Sequence, residues 1–471
     1  MMTARTTHLA NLTAIELLQL YRTHQASPVD ATRAVLERID QLNPLLNAYC
    51  VIDAESALAS ARQSEARWQQ NAPIDILDGI PVSIKDLILT RGWPTLRGTR
   101  TVNPNQPWSV DAPVVARLRE AGAVLVGKTT TPEFGIKGTT DNPLTGITRN
   151  PWNPKMTPGG SSGGAAAAVA SGMGPLAVGT DGAGSVRIPS AFSGIPGLKP
   201  SFGRVPAFPL SPFGTVAHLG PHARSVDDLA LMLTVMSRPD ARDWTSLPYD
   251  PRDYRVGLNV GVRGLRVAFS PDLGYVTNVD PEIAASVRAA AESFKDMGAH
   301  VDELSPGFSN PEEITTKMWF VGSYSLVSNM TPEQVALVDP ALRWQAEQGS
   351  KVTTLDLQKL ALRRGELGSM MRQFHQRYDL LLTPGVSVTA FEAKAPHEWT
   401  LALESFLGWT PFSYPFNLTQ QPAAVVPCGV HSNGLPMALQ IVGPMHGDAL
   451  VLRAARAYES SREWRLPVVP A

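Results

Sequence analysis

The segment from residue 157 to residue 194 constrains the fold more than any other part of this chain. It holds two strings rich in glycine and serine, Thr157-Pro-Gly-Gly-Ser-Ser-Gly-Gly and Thr180-Asp-Gly-Ala-Gly-Ser-Val-Arg. Between them, an alanine run that begins at Ala165 predicts a helix, and the apolar residues 176–179 predict a short strand. A turn, a helix, a strand and a second turn are therefore expected in direct succession.

Strands and helices are predicted to alternate through most of the chain. Residues 79–86, Gly-Ile-Pro-Val-Ser-Ile-Lys-Asp, alternate with the period of a strand, which puts Ser83 and Lys85 on one face and Asp86 on the other. A helix is expected over residues 30–41, ending before Pro44, and a β-α-β unit over residues 265–304. Further apolar strands follow towards the C-terminus. The pattern predicts an α/β fold with a largely buried sheet.

Composition and charge argue against several classes of protein. The 471 residues carry 41 basic and 42 acidic side chains, a balance that argues against a nucleic-acid binder or a membrane-surface protein held by bulk charge. Cys50 and Cys428 are too few for a disulfide framework or a cysteine-based zinc site. No run of about 20 apolar residues predicts a membrane span, and no secretory signal is recognisable at the N-terminus. We expect a reduced, cytoplasmic protein.

The second glycine-rich string offers a site for a negatively charged oxygen. Residues 179–185, Gly-Thr-Asp-Gly-Ala-Gly-Ser, present successive backbone N–H groups with little side-chain obstruction, and such a run can bind a tetrahedral oxyanion. Ser185 ends the run, so that its hydroxyl would lie beside these donors. A plain tight turn is the alternative interpretation of the same string.

A serine nucleophile needs a base, and Lys85 is the candidate. It ends the apolar strand that begins at Ile80, where burial would lower the pKa of its amine and let the neutral form accept a proton. Ser83, on the same face, would orient that amine, whereas Asp86 would point away from it. The alternative is an ordinary lysine at a strand end with its ammonium group in solvent.

Two competing motifs are weaker. The string Gly159-Gly-Ser-Ser-Gly163 matches the G-x-S-x-G turn of α/β-hydrolases, but the proline-rich residues before it cannot form a central strand. His446 is a candidate late partner for such a serine, although nothing around it is distinctive. No Gly-Lys-Ser or Gly-Lys-Thr follows the glycines, which disfavours a phosphate-binding loop.

Three strings together resemble the amidase signature family. They are Gly79-Ile-Pro-Val-Ser-Ile-Lys-Asp, Pro158-Gly-Gly-Ser-Ser-Gly-Gly and Gly179-Thr-Asp-Gly-Ala-Gly-Ser-Val-Arg-Ile-Pro. The spacing of 24 positions, from 161 to 185, between their serines also fits the family pattern. The similarity returns near the C-terminus with Pro415-Phe-Asn-Leu-Thr and Leu439-Gln-Ile-Val-Gly-Pro, and it is weakest over residues 305–400.

The resemblance implies one α/β/α domain over residues 1–471, with a mixed, twisted sheet covered by helices. Within it, residues 75–235 would form the signature core that carries the catalytic groups, and residues 305–375 a variable helical insertion over the active site. No cofactor and no metal are implied. A small-molecule amide is the expected partner, and the expected assembly is a monomer or homodimer, with no nucleic acid and no membrane span.

The resemblance also implies roles for single residues. Ser185 would be the nucleophile, Lys85 the general base, and Ser161, held in a cis peptide, the proton relay between them. The oxyanion hole would consist of the backbone N–H groups of Gly182, Ala183, Gly184 and Ser185. Further roles would fall to Asp181 and Arg187 as an ion pair, Ser162 in the hydrogen-bond network, and Phe134, Gly135 and Ile136 along the substrate.

The implied reaction is hydrolysis of the C–N bond of an amide through an acyl-enzyme, with aryl or alkyl amides, carbamates or esters as candidate substrates. The alternative is the glutaminase subunit of a tRNA-dependent amidotransferase, which shares the signature. A catalytically silent scaffold is disfavoured by the intact triad. Two departures from the family pattern bear on substrate choice, namely Ala183 where many members have glycine, and Gln420 in the string Thr419-Gln-Gln-Pro.

Overall fold

A mixed sheet of eleven strands forms the centre of the computed structural model, which describes residues 9–394, 407–467 and 469. In chain order the strands are β1 (Tyr49–Ile52), β2 (Pro81–Lys85), β3 (Val124–Thr129), β4 (Asp141–Asn142), β5 (Gly146–Ile147), β6 (Leu176–Asp181), β7 (Gly197–Lys199), β8 (His218–Ala223), β9 (Arg266–Phe269), β10 (His300–Glu303), β11 (Leu380–Pro384), β12 (Ala423–Val430) and β13 (Pro436–Val442). The order across the large sheet is β1-β3-β2-β6-β8-β7-β12-β13-β11-β9-β10, and β4 pairs with β5 in a separate hairpin. The first eight residues, part of the stretch in which no secretory signal is recognisable, lie outside the described residues.

Fourteen α-helices in the described part of the chain flank this sheet. They are α1 (Ala14–Arg22), α2 (Pro28–Leu46), α3 (Ala54–Gln69), α4 (Pro113–Glu120), α5 (Gly163–Ala170), α6 (Arg187–Ser193), α7 (Val226–Met236), α8 (Pro281–Asp296), α9 (Glu312–Val327), α10 (Pro332–Leu337), α11 (Pro340–Gly349), α12 (Thr354–Arg377), α13 (Pro415–Leu418) and α14 (Asp448–Ser460). None of the described helices has the length and apolarity that a bilayer crossing requires. The predicted α/β class is confirmed.

The centre of the sheet is buried on both faces, as expected for apolar parallel strands covered by helices. Every residue of β2 and β3 is buried. Helix α5, built from glycine, alanine and one valine, is also buried at every position. Its small side chains let it pack close to the sheet, and the helix predicted from the alanine run is confirmed.

Two strand ends meet at the edge of the sheet where the candidate catalytic groups lie. Strand β2 runs parallel to its neighbour β6, with Ser83 opposite Ala177. Their C-terminal ends therefore reach the same edge, and these ends are Lys85 and Asp181. Ligands of open α/β sheets bind at this kind of edge.

The element boundaries mostly follow the sequence pattern, with one clear error. The predicted β-α-β unit is β9-α8-β10, and its two strands are parallel. Helix α2, expected to end before Pro44, continues to Leu46. A proline in the last turn removes only one backbone hydrogen bond, and the helix closes at Asn47, which is left-handed and donates its N–H to Asn43 O at 2.8 Å.

Residues 312–377 carry helices α9 to α12, in the segment for which we predicted a helical insertion. Helix α9 brings Trp319 against the glycine-rich loop that follows β6, because a Cβ atom at Gly182 would lie 2.8 Å from its ring. The segment thus contributes to the same edge of the sheet as β2 and β6.

Candidate active site

The amine of Lys85 is fully buried and contacts three hydroxyl groups. Its Nζ atom lies 2.7 Å from Ser161 Oγ, 2.9 Å from Ser162 Oγ and 2.9 Å from Thr180 Oγ1. Thr180 was not among the residues that the sequence analysis singled out for a role, although it lies in the second glycine-rich string. The contacts bring the end of β2, the turn before α5 and the end of β6 together at one atom.

The surroundings of Lys85 favour its neutral form. Asp86 points to the other face of the strand, as predicted, and pairs with Lys128 at 3.0 Å. Within the described ranges, no carboxylate forms an ion pair with Lys85. Burial lowers the pKa of Lys85 well below its ordinary value, and the charge of Asp181 offsets this only in part. The expectation that Ser83 orients the amine is wrong, because its hydroxyl is not one of the three that Lys85 contacts.

The turn that carries Ser161 is built against residues 139 and 140. The peptide bond between Gly160 and Ser161 is cis. A Cβ atom at Gly160 would lie 2.5 Å from Thr139 O, so only glycine fits there. Thr140 Oγ1 donates to Gly159 O at 2.8 Å and accepts the N–H of residue 163 at 3.0 Å. One threonine side chain thus bridges the two sides of the turn.

Ser162 ties this turn to β6. Its Oγ donates to Thr180 O at 3.1 Å and accepts the N–H of Thr180 at 3.2 Å. Its own backbone N–H donates to Ser185 O at 3.2 Å. Because of these contacts, Ser162 connects all three strings that the sequence analysis grouped together.

Asp181 shapes the loop that carries Ser185. Its carboxylate accepts the N–H groups of Gly184 at 2.7 Å and Val186 at 3.1 Å, and it pairs with the guanidinium of Arg187 through two contacts of 3.0 Å. Although burial raises it, the charge and hydrogen bonds of Arg187 hold the pKa of Asp181 well below its usual range. The loop is therefore folded around a charged, fully buried pair.

The remaining donors of Arg187 reach the C-terminal part of the chain. They contact Asn417 Oδ1 at 2.5 Å, Gln440 Oε1 at 2.8 Å and Ser413 O at 2.8 Å. Asn417 also donates to the carboxylate and to the backbone oxygen of Asp181, both at 2.9 Å. The sequence analysis did not identify these partners, although Asn417 lies within the string Pro415-Phe-Asn-Leu-Thr.

The backbone N–H groups after β6 divide into two sets. The N–H of Gly184, expected in the oxyanion hole, is bonded to Asp181 and is therefore not available to a substrate. The N–H groups of Gly182, Ala183 and Ser185 donate to no acceptor in the part of the chain that the structure describes. These three remain as candidate donors to an oxyanion.

Ser161 and Ser185 line the same cavity, which has a volume of about 470 Å³. Phe134 and Gly135 lie on its wall, whereas Ile136 lines a small adjoining cleft together with Ser185. Much of the remaining wall is apolar and includes Leu87, Val205, Leu210, Phe213 and Trp319. A larger open groove beside α12, of about 690 Å³, contains none of these serines.

Trp319 is a wall residue that sequence patterns did not assign. Its indole N–H donates to Ile136 O at 3.0 Å, and its ring stacks on Phe213 with the centroids 3.9 Å apart. The same ring faces Gly182, which explains why this position has no side chain. Helix α9 thus fixes one side of the candidate oxyanion loop.

Other expectations can be compared with their observed positions. The backbone N–H of His446 donates to Ser201 Oγ at 3.0 Å, and its ring is not among the groups bonded to Ser161 or Lys85. Gln420, where the family often has glycine, has a left-handed φ of 65° and donates to Thr215 O at 2.9 Å. Among the described residues, no group of three or more histidine, cysteine, aspartate or glutamate side chains could hold a metal ion.

Comparison with known proteins identifies the family. The chain matches the Amidase family model over residues 30–452. An acylamidase of Rhodococcus erythropolis is 38% identical over 96% of both chains. A glutamyl-tRNA(Gln) amidotransferase subunit from Chloroflexus aurantiacus, the one designated A, is 35% identical, covering 97% of this chain and 98% of its own.

Solved structures agree with this match. A bacterial aryl acylamidase of the amidase signature family superposes with a TM-score of 0.89 at 31% identity, covering 96% of each chain. The structure of 6-aminohexanoate cyclic dimer hydrolase gives a TM-score of 0.88 at 30% identity, covering 97% of this chain and 99% of its own. Together with the family match over nearly the whole chain, these similarities show that the protein belongs to the amidase signature family and is an amide-hydrolysing enzyme.

Proposed function

We propose that this enzyme hydrolyses amides through an acyl-enzyme on Ser185, with Ser161 as the proton relay and Lys85 as the general base. The observation that carries the proposal is the buried amine of Lys85 in contact with hydroxyl groups. A lysine without a carboxylate partner in a buried site is stabilised in its neutral form, and a neutral amine accepts a proton.

The hydrogen bonds around Lys85 also support a direction for its lone pair. A neutral amine has two N–H groups and one lone pair. Ser162 Oγ donates its own proton to Thr180 O, so it accepts one N–H of Lys85, and Thr180 Oγ1 accepts the other. The lone pair of Lys85 then faces the hydroxyl of Ser161, 2.7 Å away.

The proposed reaction begins when Ser185 Oγ attacks the amide carbon. Its proton passes to Ser161 Oγ as the proton of Ser161 passes to Lys85 Nζ, and the carbonyl oxygen becomes an oxyanion. The N–H groups of Gly182, Ala183 and Ser185 would stabilise that oxyanion. When the C–N bond breaks, the proton returns from Lys85 through Ser161 to the leaving nitrogen, and the amine departs. Water then hydrolyses the ester on Ser185 by the same relay.

The substrate proposal rests on the cavity and on the relatives. An apolar wall around about 470 Å³ favours aryl or alkyl amides, and two of the similar proteins are an acylamidase and an aryl acylamidase. Carbamates and esters are further candidates, because their carbonyl carbon would meet the same serine. Phe134, Gly135 and Ile136 would line the substrate, and Asp181, Arg187 and Ser162 would hold the loops in place.

We further propose that the chain is one domain whose residues 75–235 form the catalytic core and whose residues 305–375 form a variable insertion over it. It would work in the cytoplasm as a monomer or homodimer. The second candidate function is the glutaminase subunit of an amidotransferase, which the similarity to the Chloroflexus aurantiacus protein supports. Release of ammonia from glutamine, strong only when the other subunits are added, would favour that alternative.

Labelling with a fluorophosphonate probe, followed by mass spectrometry of the peptides, tests the proposal. We expect the label on Ser185, and we expect Ser185→Ala to lose both labelling and turnover. Ser211→Ala is the matched control, because Ser211 lines the same cavity. A label on Ser161 instead, or activity of Ser185→Ala within about tenfold of wild type, roughly 1.4 kcal/mol of barrier, would refute the assignment.

A further inference from the structure

The cavity that holds Ser161 and Ser185 has three charged or titratable side chains on its wall, those of Arg97, His218 and Asp243. Asp243 is already occupied, because it accepts hydrogen bonds from the N–H of Ala207 and from the N–H and hydroxyl of Thr245, at 2.6–2.8 Å. It is therefore used to fold its own loop.

The imidazole of His218 does not supply a charge either. Burial lowers the pKa of His218 well below its ordinary value, so the ring is neutral at neutral pH. Its Nδ1–H donates to Val216 O at 2.7 Å. The charge of the cavity therefore depends on Arg97.

Arg97 extends into this cavity from a fixed backbone. Its φ is 57°, and its carbonyl oxygen accepts the N–H of Phe134 at 2.8 Å. The side chain is partly buried, yet its guanidinium makes no hydrogen bond, ion pair or ring contact with any residue in the described ranges. Asp86 lies near enough to influence it, but that carboxylate pairs with Lys128.

A partly buried guanidinium with five unused donors is unfavourable unless something completes it. Carboxylate is the group whose geometry fits this fork, since two parallel N–H···O bonds form between them. The same wall offers no unoccupied carboxylate for a cationic group, because Asp243 is engaged. The cavity is thus complementary to an apolar body with one negative charge.

We propose that Arg97 binds a carboxylate of the substrate, so that this enzyme acts on amides in which an apolar body carries a carboxylate group. The inference rests on the proposed function and names the substrate class of the same site. It also separates this enzyme from a glutaminase, because glutamine carries an ammonium group as well as a carboxylate.

Two matched pairs of substrates test the role of Arg97. On the acyl side, the para-nitroanilides of glutaric and pentanoic acid differ by a terminal carboxylate in place of a methyl group. On the amine side, para-acetamidobenzoate and para-methylacetanilide differ in the same way. We expect the wild-type enzyme to have the higher kcat/KM for the carboxylate member of one pair, mainly through a lower KM, and that pair identifies the side of the scissile bond.

Arg97→Gln should lower kcat/KM for that carboxylate member by about 10- to 100-fold, the range of a charged hydrogen bond, and leave the neutral member within about threefold. Arg97→Lys should recover part of the loss. Arg100→Gln is the control, because Arg100 is exposed and lies three residues further along the chain. Thermal unfolding of each variant checks that the fold is kept.

Equal effects of Arg97→Gln on both members of each pair, or no effect on either, would overturn the role of Arg97 while leaving the proposed function standing. Cleavage of no member by the wild-type enzyme, together with absent labelling of Ser185, would overturn both proposals.

Discussion

Replacing Gly182 by alanine tests whether the N–H groups after β6 stabilise an oxyanion. Gly182 does not have a left-handed φ, so its backbone conformation is open to alanine. What it lacks is space, because a Cβ atom there would lie 2.8 Å from Cζ3 and 3.0 Å from Cη2 of Trp319. Carbon atoms in contact prefer about 3.5–4.0 Å, so the loop and the indole must separate by roughly 0.7 Å or more.

The indole of Trp319 is held more firmly than the loop. It is 4% exposed, stacked on Phe213 at 3.9 Å and hydrogen-bonded to Ile136 O at 3.0 Å. Overpacking of this kind costs about 1–3 kcal/mol, and we expect the strain to displace the backbone of residues 182–185. Loss of one oxyanion donor lowers kcat by about 10²–10³-fold, so Gly182→Ala should lose at least about 100-fold in kcat with little change in KM.

Turnover of a para-nitroanilide, combined with the rate of fluorophosphonate labelling, measures this effect. Gly365→Ala is the matched control, because a Cβ atom at that helical glycine would meet nothing within 4 Å. Adding Trp319→Leu to Gly182→Ala should restore part of the lost kcat, since it removes the clashing ring. Folded Gly182→Ala with kcat within threefold of wild type would show that residue 182 is not a donor in the transition state.

Three further variants test other parts of the site. Ser161→Ala should lower kcat by about 10²–10⁴-fold and slow the labelling of Ser185 without abolishing it, whereas equal labelling rates would make Ser161 structural only. Asp181→Asn leaves the buried charge of Arg187 without its partner, so urea unfolding should show a loss of about 3–5 kcal/mol. Burial raises the pKa of Glu133 from 4.5 to about 7, so the folded protein holds this proton more tightly than the unfolded chain. Its free energy of unfolding should therefore fall as pH rises from about 4.5 to 7, and Glu133→Gln should flatten that slope.

Local sequence patterns predict much of this site because they report short-range geometry. The period of a strand correctly separated Lys85 from Asp86, and the glycine-rich strings correctly marked the turns at the ends of α5 and β6. The same period led to the wrong role for Ser83. Side chains two residues apart in a strand share a face but start about 6.6 Å from each other, and a lysine reaches beyond that distance to other partners.

Contacts between distant segments were beyond such patterns. Arg187 bonds to Asn417 and Gln440, which lie 230 and 253 positions further along the chain, and only the folded sheet brings them together. Competition within one loop was equally hidden. A run of glycines predicts a set of free N–H donors, but the carboxylate of Asp181 in the same string binds the N–H of Gly184.

Lys85 provides the test that separates a neutral base from a fixed cation. Burial lowers its pKa well below its ordinary value, so the folded protein binds this proton less tightly than the unfolded chain, in which lysine titrates near about 10.4. Through this group the free energy of unfolding rises with pH between the folded and unfolded pKa values. Lys85→Met removes that dependence, so in urea unfolding it should be more stable than wild type at neutral pH, with the difference shrinking towards about pH 10.4.

Activity should follow the same protonation of Lys85. In wild type, kcat/KM should rise with pH until the amine is neutral, and Lys85→Met should lower kcat by about 10²–10⁴-fold while the fold survives. Lys85→Arg should be as inactive, because a guanidinium group does not lose its proton in a protein. Substantial turnover by Lys85→Arg, or a wild-type slope of stability against pH in Lys85→Met, would mean that residue 85 acts as a positive charge. Another group would then have to take the proton from Ser161, and His446 would be the first to replace.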